Sequence, residues 1–355
     1  MTGSFRSLFL YDLCEEIRLD ELRKLIGSPG TNREPQFRHP APDYVRFERP
    51  PAMETVETVA LDTGERLRCT VNYYDYGVVS IELELPFDFD WDRLVENSSK
   101  WMTSPELEKK SAEILQRCQI RITNSMIKPY DYRLTEDYYI IQVQPRSLSA
   151  AELIKQYGSA IAQIVRGETT PLSGDETTEV LHSRISYYPN DILIVGWSAA
   201  FIYDTAEGSV STIQLLAYAN SQLLEFRHYD HVLTKLLSQV YDAVSAGTGF
   251  FGRWRLAREA ERLNTIQLEV RELTERVDNS IKFLSDMFAA RAYRLAANRI
   301  GVPDYRNLAD QKLATAGELY EIMMDRFHQG RSFLLELMVI VILVIELVFL
   351  FRGAH

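Results

Sequence analysis

The residues 333–351 form an almost uninterrupted apolar run, FLLELMVIVILVIELVFLF, in which Glu336 and Glu346 are the two charged positions. As an α-helix this run is about 28 Å long, close to the hydrocarbon thickness of a bilayer. A buried core helix is the alternative, but such a helix rarely needs apolar residues on every face, and residues 337–345 are apolar without a break. We therefore predict a transmembrane helix over residues 333–351.

The charge and the cysteines restrict the classes of function. The formal net charge of −11 argues against broad electrostatic binding to nucleic acid or to anionic lipid, although local basic patches are still allowed. The three cysteines, Cys14, Cys69 and Cys118, are widely spaced and include no CxxC pair. This usage is typical of a reducing compartment and indicates neither a disulfide framework nor a metal site.

The flanks of the apolar run predict its orientation. Lys312, Arg326 and Arg331 precede it and only Arg352 follows, in agreement with the positive-inside tendency. The start of the chain shows no targeting stretch, because residues 1–3 lead directly into a strand-like run. We expect a single-pass C-terminal anchor, inserted after translation, with the N-terminal body in the cytoplasm.

Residues 1–208 carry the patterns of an α+β domain. In residues 77–85, Val79, Ile81, Leu83 and Leu85 alternate with polar residues, as in an antiparallel strand with one wet face. Residues 149–166 predict a helix whose Ser149 and Glu152 have the spacing of a capping box. Residues 167–178 are polar and predict a loop, and residues 191–203 predict a β segment bent at Gly196. We predict a mostly antiparallel sheet with helices.

Residues 209–300 predict a helical coiled-coil hairpin. Apolar residues recur at steps of three and four from Leu216 to Val244 and again from Leu256 to Met287, and the Gly-rich residues 247–252 lie between these two seams. A third helix, residues 301–332, leads into the predicted span. Pairing the second and third helices along their whole length would place the charged residues 253–270 in lipid, which is costly. We therefore expect a bend near residues 329–330 or 278–280.

The C-terminal part of the chain resembles a family named for a requirement in meiotic nuclear division, which has yeast, mitochondrial and bacterial members. Leu335-Glu336 and Ile345-Glu346 lie at either end of an apolar run, at the ten-residue interval typical of that family. The Gly-Val-Val strand at residues 75–79 and the helix at residues 215–227 also resemble segments of the family. The resemblance covers residues 70–350. It implies a membrane-anchored, self-associating domain of unknown function without known catalysis. Because no transit peptide is visible, we favour a bacterial inner membrane over the mitochondrial inner membrane.

Two motifs suggest chemistry. Glu225, His228 and His231 have helical spacing, and a Glu/His pair at i, i+3 is how helical bundles present half of a di-iron site. Exposed or capping histidines are the alternative interpretation. Gly247-x-Gly249-x-x-Gly252 matches the dinucleotide fingerprint as a string, but the fingerprint requires a strand before it, so a hairpin turn is the better reading. We predict no cofactor.

Three further groups of residues are candidates for membrane or partner contact. Phe250, Phe251, Arg253 and Trp254 lie at the predicted turn and could touch lipid. Glu336 and Glu346 must snorkel, stay protonated or bond to a neighbouring helix within the span, and inter-helix bonding would favour an oligomer. The arginines of residues 253–262 could bind headgroups or RNA, but the interleaved glutamates favour a solvated helix flank.

The sequence therefore supports a non-enzymatic, tail-anchored scaffold as the first hypothesis. It would self-associate through the coiled coil and present its α+β domain to an unknown cytosolic protein. The second hypothesis is a metal-dependent enzyme with a Glu/His site in the helical bundle. The third, less favoured, is a membrane adaptor that binds RNA or the ribosome.

Overall fold

A computed structural model describes residues 1–26, 50–62, 64–245, 258, 261–272, 275 and 287–352. The chain divides into two compact units. The first, called the α+β unit below, comprises residues 1–228 and 276–305, and the second, called the helical unit, comprises residues 229–275 and 306–355. The first unit therefore extends to His228, beyond the domain boundary predicted at residue 208.

The α+β unit contains one eight-stranded sheet. Its strands are β1 (Thr2–Ile17), β2 (Ala52–Ala60), β3 (Arg66–Tyr73), β4 (Val78–Asp88), β5 (Met126–Val143), β6 (Arg184–Ile185), β7 (Ile192–Val195) and β8 (Ala199–Tyr203). The α-helices with defined bounds are α1 (Leu19–Leu25), α2 (Trp91–Met102), α3 (Pro105–Ile122), α4 (Ala150–Arg166), α5 (Gly174–His182), α6 (Ala206–Ser245), α7 (Met287–Ile300) and α8 (Val302–Arg352). Residues 261–272 are also helical.

The strand order is β2-β3-β4-β1-β5-β8-β7-β6. Among the described strands, β5 and β8 are parallel and the other neighbours are antiparallel. The prediction of a mixed α+β fold on a mostly antiparallel sheet is confirmed. The long strand β1 lies at the centre between β4 and β5, so its two faces carry the two packing layers of the unit.

One face of the sheet holds the main hydrophobic core. Alternate residues of β1 point to this face, and Phe5 contacts Trp101 of α2 and Tyr139 of β5 at centroid distances of 4.8 and 5.8 Å. Helices α2, α3 and α4 contribute their buried apolar residues to the same core. The opposite face of β1 presents Leu8, Leu10 and Asp12, all of them buried. This second face contacts α6.

The predicted capping box at the start of α4 is confirmed. Ser149 Oγ accepts from the Glu152 amide at 3.3 Å, and Glu152 Oε2 accepts from the Ser149 amide at 2.9 Å. The predicted loop at residues 167–178 is wrong in its second half, because α5 begins at Gly174. Ser173 caps that helix by accepting from the Glu176 amide at 3.2 Å. The polar composition of this segment predicted a loop, although it contained this N-cap residue.

Residues 191–203 form two strands instead of the predicted single bent segment. Strands β7 and β8 pair in antiparallel fashion, with Val195 opposite Ala200, and the chain turns at residues 196–198. A side chain at Gly196 would meet Val165 of α4, since an added Cβ would lie 2.5 Å from Val165 Cγ1. Glycine at this position therefore lets the hairpin turn pass close to α4.

The helical unit contains the end of α6, the helical residues 261–272 and most of α8. Its buried seam is formed by the apolar residues Leu233, Leu236, Leu237, Leu263, Ile266, Val270, Ala309 and Ala316. Polar contacts add to this packing: Gln267 Nε2 donates to the Leu313 carbonyl at 3.3 Å, and Lys312 Nζ donates to Thr234 Oγ1 at 2.6 Å.

Helix α8 continues without interruption through residues 329–330, where one of the two alternative bends was expected. The other expected bend, at residues 278–280, lies outside the described residues.

Candidate functional site

Helix α6 carries a stripe of polar residues that is buried within the α+β unit. These residues lie on the part of α6 that belongs to this unit, and they are Asn220, Ser221, Gln222, Glu225 and His228. Buried polar groups are costly unless they find partners, so such a stripe on one helix indicates specific contacts with its neighbours. His228 contacts β1 and β5, Ser221 contacts the turn between β3 and β4, and Gln222 accepts a hydrogen bond from the Tyr293 hydroxyl of α7.

The central contact joins His228 of α6 to Asp12 of β1. Nδ1 of His228 lies 2.6 Å from Oδ2 of Asp12, and the two side chains are 5% and 0% exposed. Burial raises the pKa of the Asp12 carboxyl above its ordinary value, and the neighbouring imidazole opposes part of that increase. The pair is therefore held in a dry environment, where a polar side chain that loses its partner is costly.

Two tyrosines of β5 stack on the histidine. The rings of Tyr130 and Tyr132 lie at centroid distances of 4.3 and 5.7 Å from the His228 ring, with interplanar angles of 27° and 15°. An irregularity in the β1–β5 pairing places them there, since Asp12 pairs with Leu134 but Cys14 pairs with Pro129. Residues 130–133 are thus left outside the ladder, and a bulge of this kind redirects side chains.

Two further contacts hold α6 beside the sheet. Ser221 Oγ lies 2.5 Å from the hydroxyl of Tyr76, which belongs to the turn between β3 and β4, and Arg227 forms an ion pair with Glu136 of β5. The turn approaches β1 closely at Gly77, whose φ is +94°, because an added Cβ would lie 1.6 Å from the Cys14 carbonyl oxygen. The Gly77 carbonyl accepts from the Leu13 amide at 3.2 Å.

The chemistry available at this cluster is limited. Cys14 is its one thiol, and burial, together with the negative charge of Asp12, raises the pKa of that thiol to about 12. A thiol with such a pKa is protonated at neutral pH and is a poor nucleophile. Glu225 is buried, and its charge also acts on Cys14. The arrangement is suited to holding α6 on the sheet.

The three residues suggested as a metal site differ in burial. Glu225 and His228 are buried in the α+β unit, whereas His231 is exposed and belongs to the helical unit. Across the residues that the structure describes, no group of three or more His, Cys, Asp or Glu side chains is arranged to hold a metal ion.

The sequence did not predict that Asp12, Tyr130 and Tyr132 belong to this cluster. The one available signal was an acid within the apolar strand SLFLYDLC.

The residues proposed for membrane contact are only partly described. Phe250, Phe251, Arg253 and Trp254 lie outside the described residues, and Glu336 and Glu346 lie within α8 but their side chains are not described. Residues 338–345 are described, and all eight of these apolar side chains are exposed by 48% to 56%. In the described part of the chain, no helix is both long and apolar enough to cross a membrane.

Comparison with known proteins gives a family for the first part of the chain. Residues 2–210 match the family described as the N-terminal domain of the uncharacterized protein MJ0711. The MJ0711 protein of Methanocaldococcus jannaschii is 18% identical over 226 residues, which cover 63% of this chain and 69% of that protein. No solved structure matches the chain. The resemblance to the meiotic nuclear division family stays a prediction. Because the family match extends over more than half of its length, the chain belongs to the MJ0711 N-terminal domain family.

Proposed function

We propose that this chain is a non-enzymatic interaction protein, anchored in a membrane by the end of α8, whose α+β unit faces the cytoplasm and binds another protein. The observation that carries the proposal is the exposure of residues 338–345. These eight consecutive residues cover more than two helical turns, so apolar side chains face outward in every direction. In water such a surface would be strongly unfavourable, at roughly 25 cal/mol for each Å² left uncovered, whereas lipid covers it without a partner protein.

The α+β unit supports the non-enzymatic part of the proposal. Its buried polar residues are used to join α6 to the sheet, and the thiol among them is protonated at neutral pH. A unit in which α6 is joined to the sheet in this way is suited to presenting a surface to a partner.

Self-association is the second part of the proposal, and exposed apolar residues of the helical unit support it. Tyr241, Leu268 and Leu308 are exposed by 51%, 59% and 43%, whereas apolar residues close to them in sequence, Leu237, Ile266 and Ala309, are buried. A second copy would cover them. Sedimentation equilibrium in detergent tests this part, and a monomer across the accessible concentrations would refute it.

Membrane fractionation tests the anchor. We expect the full chain to stay in the membrane pellet after washing with alkaline carbonate and to be released by detergent. Deleting residues 330–355 should move the protein to the supernatant, whereas the matched deletion of residues 352–355 should not. A full chain that is extracted by carbonate, or is found in the supernatant from the start, would refute the anchor.

A further inference from the structure

Helix α7 is basic along its whole length in a chain that is acidic overall. Residues 287–300 contain Arg291, Arg294 and Arg299 and no aspartate or glutamate, while the chain carries a net charge of −11. All three cations are arginine, whose planar guanidinium binds phosphate oxygens in pairs and stacks on flat rings.

Two of these arginines are available for an external ligand. Arg299 is paired with Glu179 at 2.6 Å. Arg291 and Arg294 are exposed, and within the described residues neither forms an ion pair with an acid. Arg184 on the edge strand β6 is likewise exposed and without an acidic partner in that same part of the chain, and its guanidinium donates to the Leu181 carbonyl at 3.2 Å.

Aromatic rings lie directly beside these cations. The guanidinium carbon of Arg291 is 6.0 Å from the ring centroid of Phe288, and Phe288 packs edge to face on Tyr187 at 5.1 Å. Tyr187 in turn packs on Tyr188 at 4.7 Å, and the two tyrosines are 44% and 41% exposed. These rings, together with the exposed arginines of β6 and α7, are named the basic aromatic face, which consists of Arg184, Tyr187, Tyr188, Phe288, Arg291 and Arg294.

The loop that carries the two tyrosines is held in place by a buried acid. The carboxylate of Asp191 accepts from the backbone amides of Tyr187 and Tyr188 at 2.8 and 3.1 Å. The neighbouring Asp204 accepts from the Thr205 amide at 2.7 Å. The carboxylates of Asp191 and Asp204 are therefore engaged by backbone amides, and Asp191 orders the loop that presents the tyrosine rings.

We propose that the basic aromatic face binds single-stranded RNA. Unpaired RNA supplies phosphates for the arginines and bases for the exposed tyrosine rings, and stacking of this kind tolerates different sequences. A phospholipid headgroup would satisfy the arginines but would leave the rings without flat partners. An acidic peptide would likewise offer charge without bases. The inference is independent of the membrane anchor, since it rests on the α+β unit alone.

Fluorescence polarisation with a labelled oligouridine of roughly twelve nucleotides tests the proposal, using the full chain in a nonionic detergent. With three arginines on phosphates, the logarithm of affinity should fall with the logarithm of salt concentration with a slope of about −2. The double variant Arg291→Glu/Arg294→Glu should bind at least tenfold more weakly, with a slope nearer −0.7. The charge-matched variant Arg93→Glu/Arg146→Glu, altered at exposed arginines elsewhere, should bind within twofold of the unmodified protein.

A second variant separates stacking from charge. Tyr187→Ala/Tyr188→Ala should weaken oligouridine binding by about tenfold and leave the salt slope unchanged, because it removes rings and no cation. Circular dichroism confirms that each variant is folded. The proposal is overturned if oligouridine fails to bind, if the charge-matched variant loses as much affinity as the α7 variant, or if the tyrosine variant binds normally. It is also overturned if short-chain phosphatidylglycerol or polyglutamate displaces the RNA at equal charge concentration.

Discussion

Oδ2 of Asp12 lies 2.6 Å from Nδ1 of His228, so that an acid of the central strand and a histidine of α6 meet with almost no access to water. These two residues are far apart in sequence, and their contact joins the first strand of the sheet to the helix that leads out of the α+β unit.

A double-mutant cycle measures this contact. Asp12→Ala and His228→Ala should each lower the free energy of unfolding by about 3 kcal/mol, because each leaves a buried polar group uncompensated. The double variant should lose about 2 kcal/mol less than the sum of the two. Urea unfolding provides the values. The exposed pair Arg18–Glu21 is the control, with an expected coupling below about 1 kcal/mol, and additive effects at Asp12 and His228 would contradict our account.

The raised pKa of Asp12 predicts a pH dependence. A carboxyl whose pKa is higher in the folded state than in the unfolded state binds a proton more readily when the protein is folded. Its ionisation therefore lowers the free energy of unfolding as the pH rises above the ordinary pKa of an aspartate. Asp12→Asn removes this dependence and keeps an oxygen facing His228. The Tm of Asp12→Asn relative to the unmodified protein should therefore increase between about pH 4 and pH 7.

Asp131→Asn, altered at an exposed residue near the same strand irregularity, is the control for that experiment and should show little change across the same range. A relative Tm for Asp12→Asn that falls with increasing pH would show that the imidazole outweighs burial at this carboxyl.

Gly77 should not tolerate a side chain. Gly77→Ala introduces a Cβ 1.6 Å from the Cys14 carbonyl oxygen and forces an L-residue to a φ of +94°. We expect a loss of roughly 2 kcal/mol or more and a Tm lowered by about 5 °C. Gly64→Ala is the matched control for the backbone conformation, since its φ is +87° and an added Cβ meets nothing within 4 Å. Equal losses in the two variants would show that the contact with Cys14 adds nothing.

Removal of the N-cap of α4 should have a smaller effect on the free energy of unfolding. Ser149→Ala removes the acceptor for the Glu152 amide and should cost about 1 kcal/mol. Ser159→Ala, in the same helix at an exposed position, should be neutral or slightly stabilising because alanine favours helices. Hydrogen bonds from Ser149 lower the pKa of Glu152, so the contribution of this cap should diminish as pH falls through the lowered value. Thermal unfolding at neutral and acidic pH gives both results.

Local patterns predicted much of the sheet and several boundaries. The alternation in β4 arises because Val79, Ile81, Leu83 and Leu85 face the core while Glu82 and Glu84 do not, and this period is visible without knowledge of any partner. The capping box of α4 and the break at Gly301, which has a φ of +94°, are equally local. Such signals depend on neighbouring residues alone.

Contacts between distant parts of the chain could not be predicted in the same way. Strand β1 spans Thr2–Ile17, and its Arg6 pairs with Glu82 and Glu84 of β4, a contact between residues far apart in sequence. The candidate site also depends on a contact between distant residues. The spacing of Glu225 and His228 suggested a metal motif on one helix, whereas His228 contacts Asp12 on β1. An acid within an apolar strand does not by itself predict which distant residue will pair with that acid.

The lipid environment of residues 338–345 is the central claim, and a spin label at Val341→Cys in the reconstituted full chain tests it most directly. Collision with oxygen, which concentrates in lipid, is compared with collision with a water-soluble nickel chelate, and a label at the exposed Ser159 of the α+β unit serves as the aqueous control. We predict that the Val341 label is reached by oxygen and shielded from nickel, while the Ser159 label shows the reverse. Nickel access at Val341 equal to that at Ser159 would contradict the proposed anchor.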